Sequence, residues 1–546
     1  MSTQTHPGSA PDSQARKSWW RTPAGIAAAV LVVLAVIVAG VLLGTPGPEA
    51  PSTPQGERPT EEEPAPQEPA PEEPAPEEPA PEEPAPEEPG PEETQRLGLH
   101  FTDVEVAIWA ERAEDGPYRE QGDVSDNSPG DWERISSNAE AFMDDPEDSR
   151  WSPDFDDCIP RGDRHEPSMR DSDKLRDAAF FALVTDDEEI GRTVVDELVA
   201  QATEDDADFG DEDRFCPDEV RDSHPHYVLA QWGTKLLYAF DYTKQWATDD
   251  EQEQIRQWFS DAAGFLLPAT DAVFDRLFED RQNGDYTPTE GADYNQVGFL
   301  GSHETSTYSR HYNNRWGNIY RFIGLVGIEQ DDQRFLEAGK RWAKEFLVYS
   351  VYPDGWMAEF RRWLPNRGSN AGHELGYTYT ANVLGQMITL ADALARTGDT
   401  ELYDFETTDG LFGTEGGPKS YRFAIESMGH YLDGTFERYG TDDEGREGEE
   451  DFRIDSVFEE GDYYSVHDVM LAPANVYYRS DYITDIYTRT GNGMPGYPED
   501  EATNGPHTVW TGESGTLPGV LFMFGGMEDL VDPYPERGPL PQGVRS

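Results

Sequence analysis

Positive charge is what this chain lacks most. Its 546 residues hold 42 lysines and arginines against 110 aspartates and glutamates, a formal net charge of −68, and only seven of the basic residues are lysines. Holding a phosphate backbone needs a positive field, so this balance argues against nucleic acid as a partner. Cysteine is nearly absent too: Cys158 and Cys216 are the only two. No Cys/His spacing suits zinc, and neither a P-loop nor a dinucleotide-binding glycine pattern stands at a strand-to-helix turn. No metal and no cofactor are therefore expected. Clear strands of alternating polarity are few, which leaves little ground for a β architecture.

What is present begins with acid. Sixteen glutamates fall in residues 45–96, so most of the acidic excess lies in the rest of the chain. A lysine-poor surface of this kind suits a salty environment, where a dense hydrated carboxylate shell stays soluble; halophilic adaptation is the expectation. The first 23 residues are polar and carry Arg16, Lys17 and Arg21. The uncharged run AGIAAAVLVVLAVIVAGVLLG follows at 24–44, and about 20 such residues span a bilayer as a helix. Basic residues before it keep residues 1–23 cytoplasmic, which predicts a single-pass anchor in the cell membrane. A cleaved signal peptide is the other reading and would leave the protein secreted. Residues 45–96 are a Pro/Glu repeat with too little apolar surface to fold. In polyproline II, at ~3.1 Å per residue, such a stretch reaches on the order of 100 Å as a stalk. The domain expected from residue 97 to 546 then lies outside the cytoplasm, where two cysteines usually bond, so a Cys158–Cys216 disulfide is expected.

From residue 97 on, helical periodicity dominates. DKLRDAAFFALV (173–184) leads into TDDEEIGRTVVDELVAQA, and YVLAQWGTKLLYAFDYTKQWA (227–247) into TDDEQEQIRQWFSDAAGFLL. Both hinges read Thr-Asp-Asp-Glu, so Thr185 with Glu188 and Thr248 with Glu251 are expected to form capping boxes at the second helix of each hairpin. Ile319, Phe322, Ile323 and Val326 share one helical face, as do Phe335, Trp342 and Phe346, and Tyr379, Val383, Met387, Leu390 and Leu394. Trp232, Tyr238 and Tyr242 form another stripe that reads as core. Serial helical hairpins without a fixed-length repeat predict an all-α fold, an α/α toroid rather than an open solenoid.

Four segments stand in a telling order: NNRWGNIYRFIGL, a helical hairpin, YPDGWMAEFRRW, and LGYTYTANVLGQMITLADALARTGD. This order resembles the alginate lyase family of α/α-toroid polysaccharide lyases, best between about residues 170 and 400. In that family an Asn-Asn-His stretch opens a helix, an Asp-Gly segment runs into a basic pair, and a last helix is entered through Leu-x-Tyr. The resemblance implies that Asn314 is the second family asparagine and that Arg362, with Arg361 beside it, faces the substrate carboxylate. It also implies that Tyr377 acts as acid and base. Arg315 stands where the family has its catalytic histidine; His311 and His373 are the nearby substitutes. The substrate implied is an acidic, uronate-containing polysaccharide.

The chemistry explains such a gathering. β-Elimination removes the proton beside the uronate carboxylate and expels the oxygen at C4. That proton is weakly acidic until the carboxylate charge is neutralised, which an arginine does with two parallel hydrogen bonds, helped by an amide. A tyrosine near an arginine has its pKa pulled down and can serve as base, then as acid to the leaving oxygen. Trp316 and Trp356, beside the motifs, are candidates to stack on a sugar, and Arg310, Arg315, Arg361, Arg362 and Arg367 could make a locally basic cleft. Plainer readings stay open. Asn313 or Asn314 caps the helix; the arginines pair with surface carboxylates; Tyr377 is a core-edge residue; His311 and His373 are structural. Two other functions also stay open: a glycan-binding protein that has lost the chemistry, and a glycoside hydrolase, which would need two opposed carboxylates from among Glu304, Glu359 and Glu374.

Overall fold

The computed structural model describes residues 98–114, 131–150, 166–203, 224–275, 278–281, 285–288, 312–357, 373–409, 418–432, 435, 437–438, 452–453, 468–483, 517–524, 534 and 537. All belong to one compact unit, residues 88–546. The segments 1–23, 24–44 and 45–96 lie outside the described residues, as do Cys158, Cys216, Glu304, Arg310, His311, Glu359, Arg361, Arg362 and Arg367; so do the side chains of His373, Glu374 and Tyr377. Among the described residues no helix is long and apolar enough to cross a membrane.

Helices α1 (Asp103–Glu114) and α2 (Asp131–Asp144) precede a series of hairpins. Helix α3 (Glu166–Thr185) turns into α4 (Glu188–Thr203), and α5 (His224–Thr243) into α6 (Asp249–Phe274). Likewise α7 (Asn314–Gln330) turns into α8 (Gln333–Tyr349). Then come α9 (His373–Ala395), the single turn α10 (Glu401–Asp404), α11 (Tyr421–Leu432), α12 (Asp468–Tyr478) and the short α13 (Val520–Phe524). Strand among the described residues is confined to two antiparallel ribbons, β1 (Phe278–Asp280) with β2 (Asp285–Pro288), and β3 (Glu437–Arg438) with β4 (Phe452–Arg453).

One set of helices packs in a row: α2 on α3, α3 on α5, α5 on α7, α7 on α9 and α9 on α12. Helix α13 then touches α12, α1 and α2, so the row closes into a ring. Helices α4, α6, α8 and α11 lie outside it, each against the inner helices beside it. The apolar stripes expected from the sequence face this packing: Ile319, Phe322, Ile323 and Val326 are fully buried, as are Phe335, Trp342, Phe346, Trp232 and Tyr238. Each such side chain contributes about 1.5–3 kcal/mol by leaving water. The inner helices also bury polar residues, among them Asn314, Asn318 and Arg321 on α7 and Asn382, Gln386 and Asp392 on α9. A helix buried on all sides belongs to an interior layer.

Four inner helices, α3, α5, α7 and α9, run the same way, whereas α2 runs against α3: Trp132 stacks on Phe181 and Asn138 reaches back to Asp177. Asp173 on α3 meets Lys235 on α5 at 2.8 Å, and seven residues further along each helix Phe180 meets Tyr242 with ring centroids 5.3 Å apart. A Cβ on Gly233 would lie 2.9 Å from Phe322, and Lys244, just past α5, reaches Glu329 near the end of α7 at 3.0 Å. Positions 317 and 324 of α7 lie against Val383 with Gln386 and against Leu390 of α9. The N-terminal ends of α3, α5, α7 and α9 therefore share one rim of the ring and their C-terminal ends the other.

A strap formed by residues 98–105 crosses the C-terminal rim. The Leu99 N–H donates to Asp241 Oδ2 at 2.8 Å. The His100 ring reaches Asp392 Oδ2 at 2.9 Å through Nδ1 and the Tyr238 hydroxyl at 3.2 Å through Nε2. Arg396 grips Glu105 with two bonds of 2.8 and 3.0 Å. The strap thus ties α5 to α9, which α7 separates.

The two Thr-Asp-Asp-Glu hinges fold differently. Thr248 is an N-cap in extended backbone, with a complete capping box to Glu251. Thr185 is not a cap, which corrects the expectation. It finishes α3 and its hydroxyl donates to the Phe181 carbonyl at 2.8 Å. Asp186 makes the turn at φ 55°, and the Asp187 side chain accepts from the Ile190 N–H at 3.1 Å. A turn of 3₁₀ helix, Lys244–Trp246, separates α5 from Thr248. No such spacer frees Thr185, so the cap falls two residues later.

Two predictions follow from this packing. Helices α7 and α8 cross where a Cβ on Gly339 would lie 2.7 Å from the Gly324 Cα. Gly339→Ala should therefore lower stability by about 1–3 kcal/mol, read from denaturant midpoints in high salt. The second concerns Asp392. Burial pushes its carboxyl pKa up, but Arg396 and His100 more than offset this and leave it below the ordinary value. Its stabilising contribution is complete above the unfolded value of about 3.9 and is lost as pH falls through the depressed native value. Acid titration of stability should be shallower in Asp392→Asn than in the wild type; equal slopes would remove this carboxylate from the account.

Candidate active site

Of the site residues expected from the sequence, the described Asn313, Asn314 and Arg315 lie at the start of α7, on the N-terminal rim. Helix N-termini carry partial positive charge and N–H groups without intrahelical partners, and here several point the same way. At the start of α7, Asn313 is extended (φ −120°, ψ 177°) and its side-chain oxygen accepts from the Arg315 and Trp316 N–H groups at 3.0 and 3.3 Å. Asn313 is therefore the cap, and Asn314 is the first helical residue. This separates the two amides by role, which the sequence left open. Asn314 is 1% exposed and Arg315 is partly buried beside it.

Asn314 begins a polar stripe that descends into the ring. Asn318 and Arg321, four and seven residues further on, share its face and are fully buried. An Arg321 Nη donates to Asn318 Oδ1 at 2.5 Å. Burial lowers the Arg321 pKa to about 10, with Tyr238 and Tyr227 of α5 acting against it, so the guanidinium stays charged at neutral pH. Asn382 and Gln386 are buried on the neighbouring α9, and a Cβ on Gly317 would meet Gln386 Oε1 at 2.5 Å. Sequence reasoning missed this stripe; its signal was polar residues at helical spacing within an apolar run.

Tyr377 and His373 fall in the first two turns of α9, the helix packed against α7. His226, at the start of α5, also belongs to this rim. Its ring packs edge-on against Phe265 of α6, with centroids 5.9 Å apart, and burial lowers its pKa to about 4. It is thus a neutral, outward-packed histidine. Trp316 and Trp356 are buried, 5% and 3% exposed. Trp316 stands edge-on to Phe274 at 5.2 Å, and Trp356 sits in a turn whose ends, Val351 and Met357, pair with each other. Both rings are thus largely covered by neighbouring side chains. No group of three or more metal-ligating side chains occurs among the described residues.

No family model matches the chain, and no curated protein matches it. Solved structures do. Alginate lyase A1-III from Sphingomonas species A1 is 12% identical over 72% of this chain and 94% of its own, with a TM-score of 0.39. The apo form of a histidine-to-alanine variant gives a TM-score of 0.41 at 12% identity, covering 78% of this chain and 97% of that one. The same variant complexed with a tetrasaccharide gives 0.38 at 11% identity, covering 64% and 86%. These are structures of the family that the motif order resembles, and at such TM-scores the likeness assigns no activity.

Asn313→Ala should cost about 1 kcal/mol of stability, because two first-turn N–H groups lose their acceptor, whereas Asn313→Asp should cost much less. Urea midpoints of the two variants compare them directly.

Proposed function

We propose that this protein is an extracytoplasmic polysaccharide lyase that cleaves a uronate-containing, alginate-like glycan by β-elimination. The observation that carries the reading is the rim. Asn314 stands in the first turn of one inner helix, beside the helix whose first turns contain Tyr377, where parallel N-termini favour an anion. In this reading Asn314, Arg315 and Arg362 receive the substrate carboxylate, with Arg361 and His311 close by in the sequence. Neutralising that charge acidifies the adjacent C–H. The Tyr377 phenolate takes the proton, the C–H electrons form the C4–C5 double bond, and the C4–O bond breaks. Tyr377 then returns the proton to the departing oxygen, so the site ends as it began. In this reading His373, four residues before Tyr377, or His311 takes the part of the family histidine.

In this reading the apolar run 24–44 anchors the enzyme in the membrane and the Pro/Glu-rich stretch 45–96 carries the domain clear of the cell surface. High salt reconciles an acidic enzyme with an acidic substrate, since at 1 M the Debye length is about 3 Å. The rival reading is a glycan-binding protein on the same ring, and the arginine at position 315 in place of the family histidine is what favours it.

The test mixes the protein with a panel of polyuronates in high salt and follows ultraviolet absorbance for the unsaturated sugar. A rise with one substrate is expected, reduced by about 10²–10⁴-fold in Tyr377→Phe with glycan affinity unchanged. A flat trace from folded protein that still binds a polyuronate would support the binding protein instead.

A further inference from the structure

Directly behind the rim, between α6 and α8, lies a buried ionic cluster to which the proposed chemistry gives no role. Arg281 is its centre and is 1% exposed. Its Nε donates to Glu345 Oε1 at 2.7 Å, and Nη1 donates to Asp271 Oδ1 at 2.8 Å and more loosely to Asp275 at 3.5 Å. The guanidinium lies over the Phe274 ring, 4.9 Å from its centroid. Asp271 also accepts from the Tyr320 hydroxyl at 2.8 Å and from Arg341 at 3.1 Å. Two guanidiniums thus balance Asp271 and Glu345, with the more exposed Asp275 at the edge.

Glu345 is fully buried on α8 and divides its oxygens. One accepts from Arg281; the other accepts from the Tyr312 hydroxyl at 3.0 Å. The other end of Tyr312 is held as well, because its carbonyl accepts from Ser350 Oγ at 3.1 Å. The ring is stacked on Tyr349, with centroids 5.4 Å apart and planes at 24°. Helix α8 therefore grips Tyr312 at hydroxyl, ring and carbonyl, and Tyr312 immediately precedes Asn313 and Asn314. Burial, with the Glu345 charge beside it, pushes the Tyr312 pKa well above the ordinary value, so it remains a donor to Glu345 at any working pH.

Apolar side chains would fill this space with no desolvation cost, and swapping a buried ion pair for them is often neutral or stabilising. What a charged, directional contact adds is geometry. We propose that Glu345 is a positioning residue which, braced by Arg281, holds Tyr312 and thereby sets where Asn313, Asn314 and Arg315 sit on the rim. The inference rests on the lyase reading for its kinetic consequence, but its structural claim can be tested separately. A displacement of about 1 Å in such a constellation costs on the order of 10²-fold in rate.

The experiment uses the full chain and the variants Tyr312→Phe, which deletes only the hydroxyl, and Glu345→Gln. The first readout is hydrogen exchange at the Arg315, Trp316 and Gly317 amides, which bond to Asn313. Tyr312→Phe should speed exchange there by about tenfold or more and leave mid-helix amides of α8 and α9 unchanged. The second is elimination kinetics on the best polyuronate: kcat should fall by about 10–100-fold with little change in KM. Should Glu345→Gln not fold, Tyr312→Phe alone decides. Unchanged exchange at the three amides would overturn the proposal, as would a uniform rise across all helices, the mark of general destabilisation. So would an unchanged kcat in an active enzyme. If the wild type makes no unsaturated product from any polyuronate, it is the lyase reading that fails, and exchange alone then decides the positioning role.

Discussion

Helices α3, α5, α7 and α9 of this ring lie side by side in the same direction, and the rest of the structure answers to that alignment. Parallel macrodipoles repel, so packing must hold them together and each rim must be managed by its own chemistry. On the C-terminal rim, Lys244 follows α5 and bonds Asp241 and Glu329, while Arg396 follows α9 and bonds Asp392 and Glu105. Cations at helix C-termini are where the dipoles favour them. The N-terminal rim keeps its positive end. A chain with a net charge of −68 can thus have one place whose backbone welcomes a carboxylate.

The charge divides into two populations with different physics. Surface carboxylates face water, and salt screens them from one another. The buried Arg176, Asp177 and Lys235 with the half-buried Asp173, like the buried Arg281 and Glu345 with the half-buried Asp271, are paired at 2.6–2.8 Å inside the ring wall. Salt reaches these pairs far less. Salt therefore acts on the surface charge and on solubility, while the internal pairs keep their geometry.

Much of the fold was legible because helices write themselves in apolar spacing. The stripes at 319–326, 335–346 and 383–394 all point into the ring. The Thr248 box was legible too; the identical Thr185 hinge was not, because capping depends on whether the preceding helix has already ended. The burial of Trp316 and Trp356 was not legible, because an aromatic near a motif reads alike whether it faces a cleft or a core. The cluster behind the rim was hidden by distance, since Arg281 and Glu345 are 64 residues apart in the chain. One clue was available: Glu345 occupies the same stripe of α8 as Trp342, Phe346 and Tyr349, a charge at a core position.

The closure of the ring has a consequence for how the protein comes into being. The Trp109 indole N–H donates to the Met523 carbonyl at 2.8 Å, and Arg112 donates to the Phe522 carbonyl at 2.7 Å. These contacts join segments more than 400 residues apart. The hairpins are local and can form as the chain leaves the ribosome, whereas the seam must wait until residue 523 has emerged. Contacts of such separation are the slow ones in folding. Until then the first helices present an unpaired edge, so the folding of this protein is a matter of timing as well as of stability.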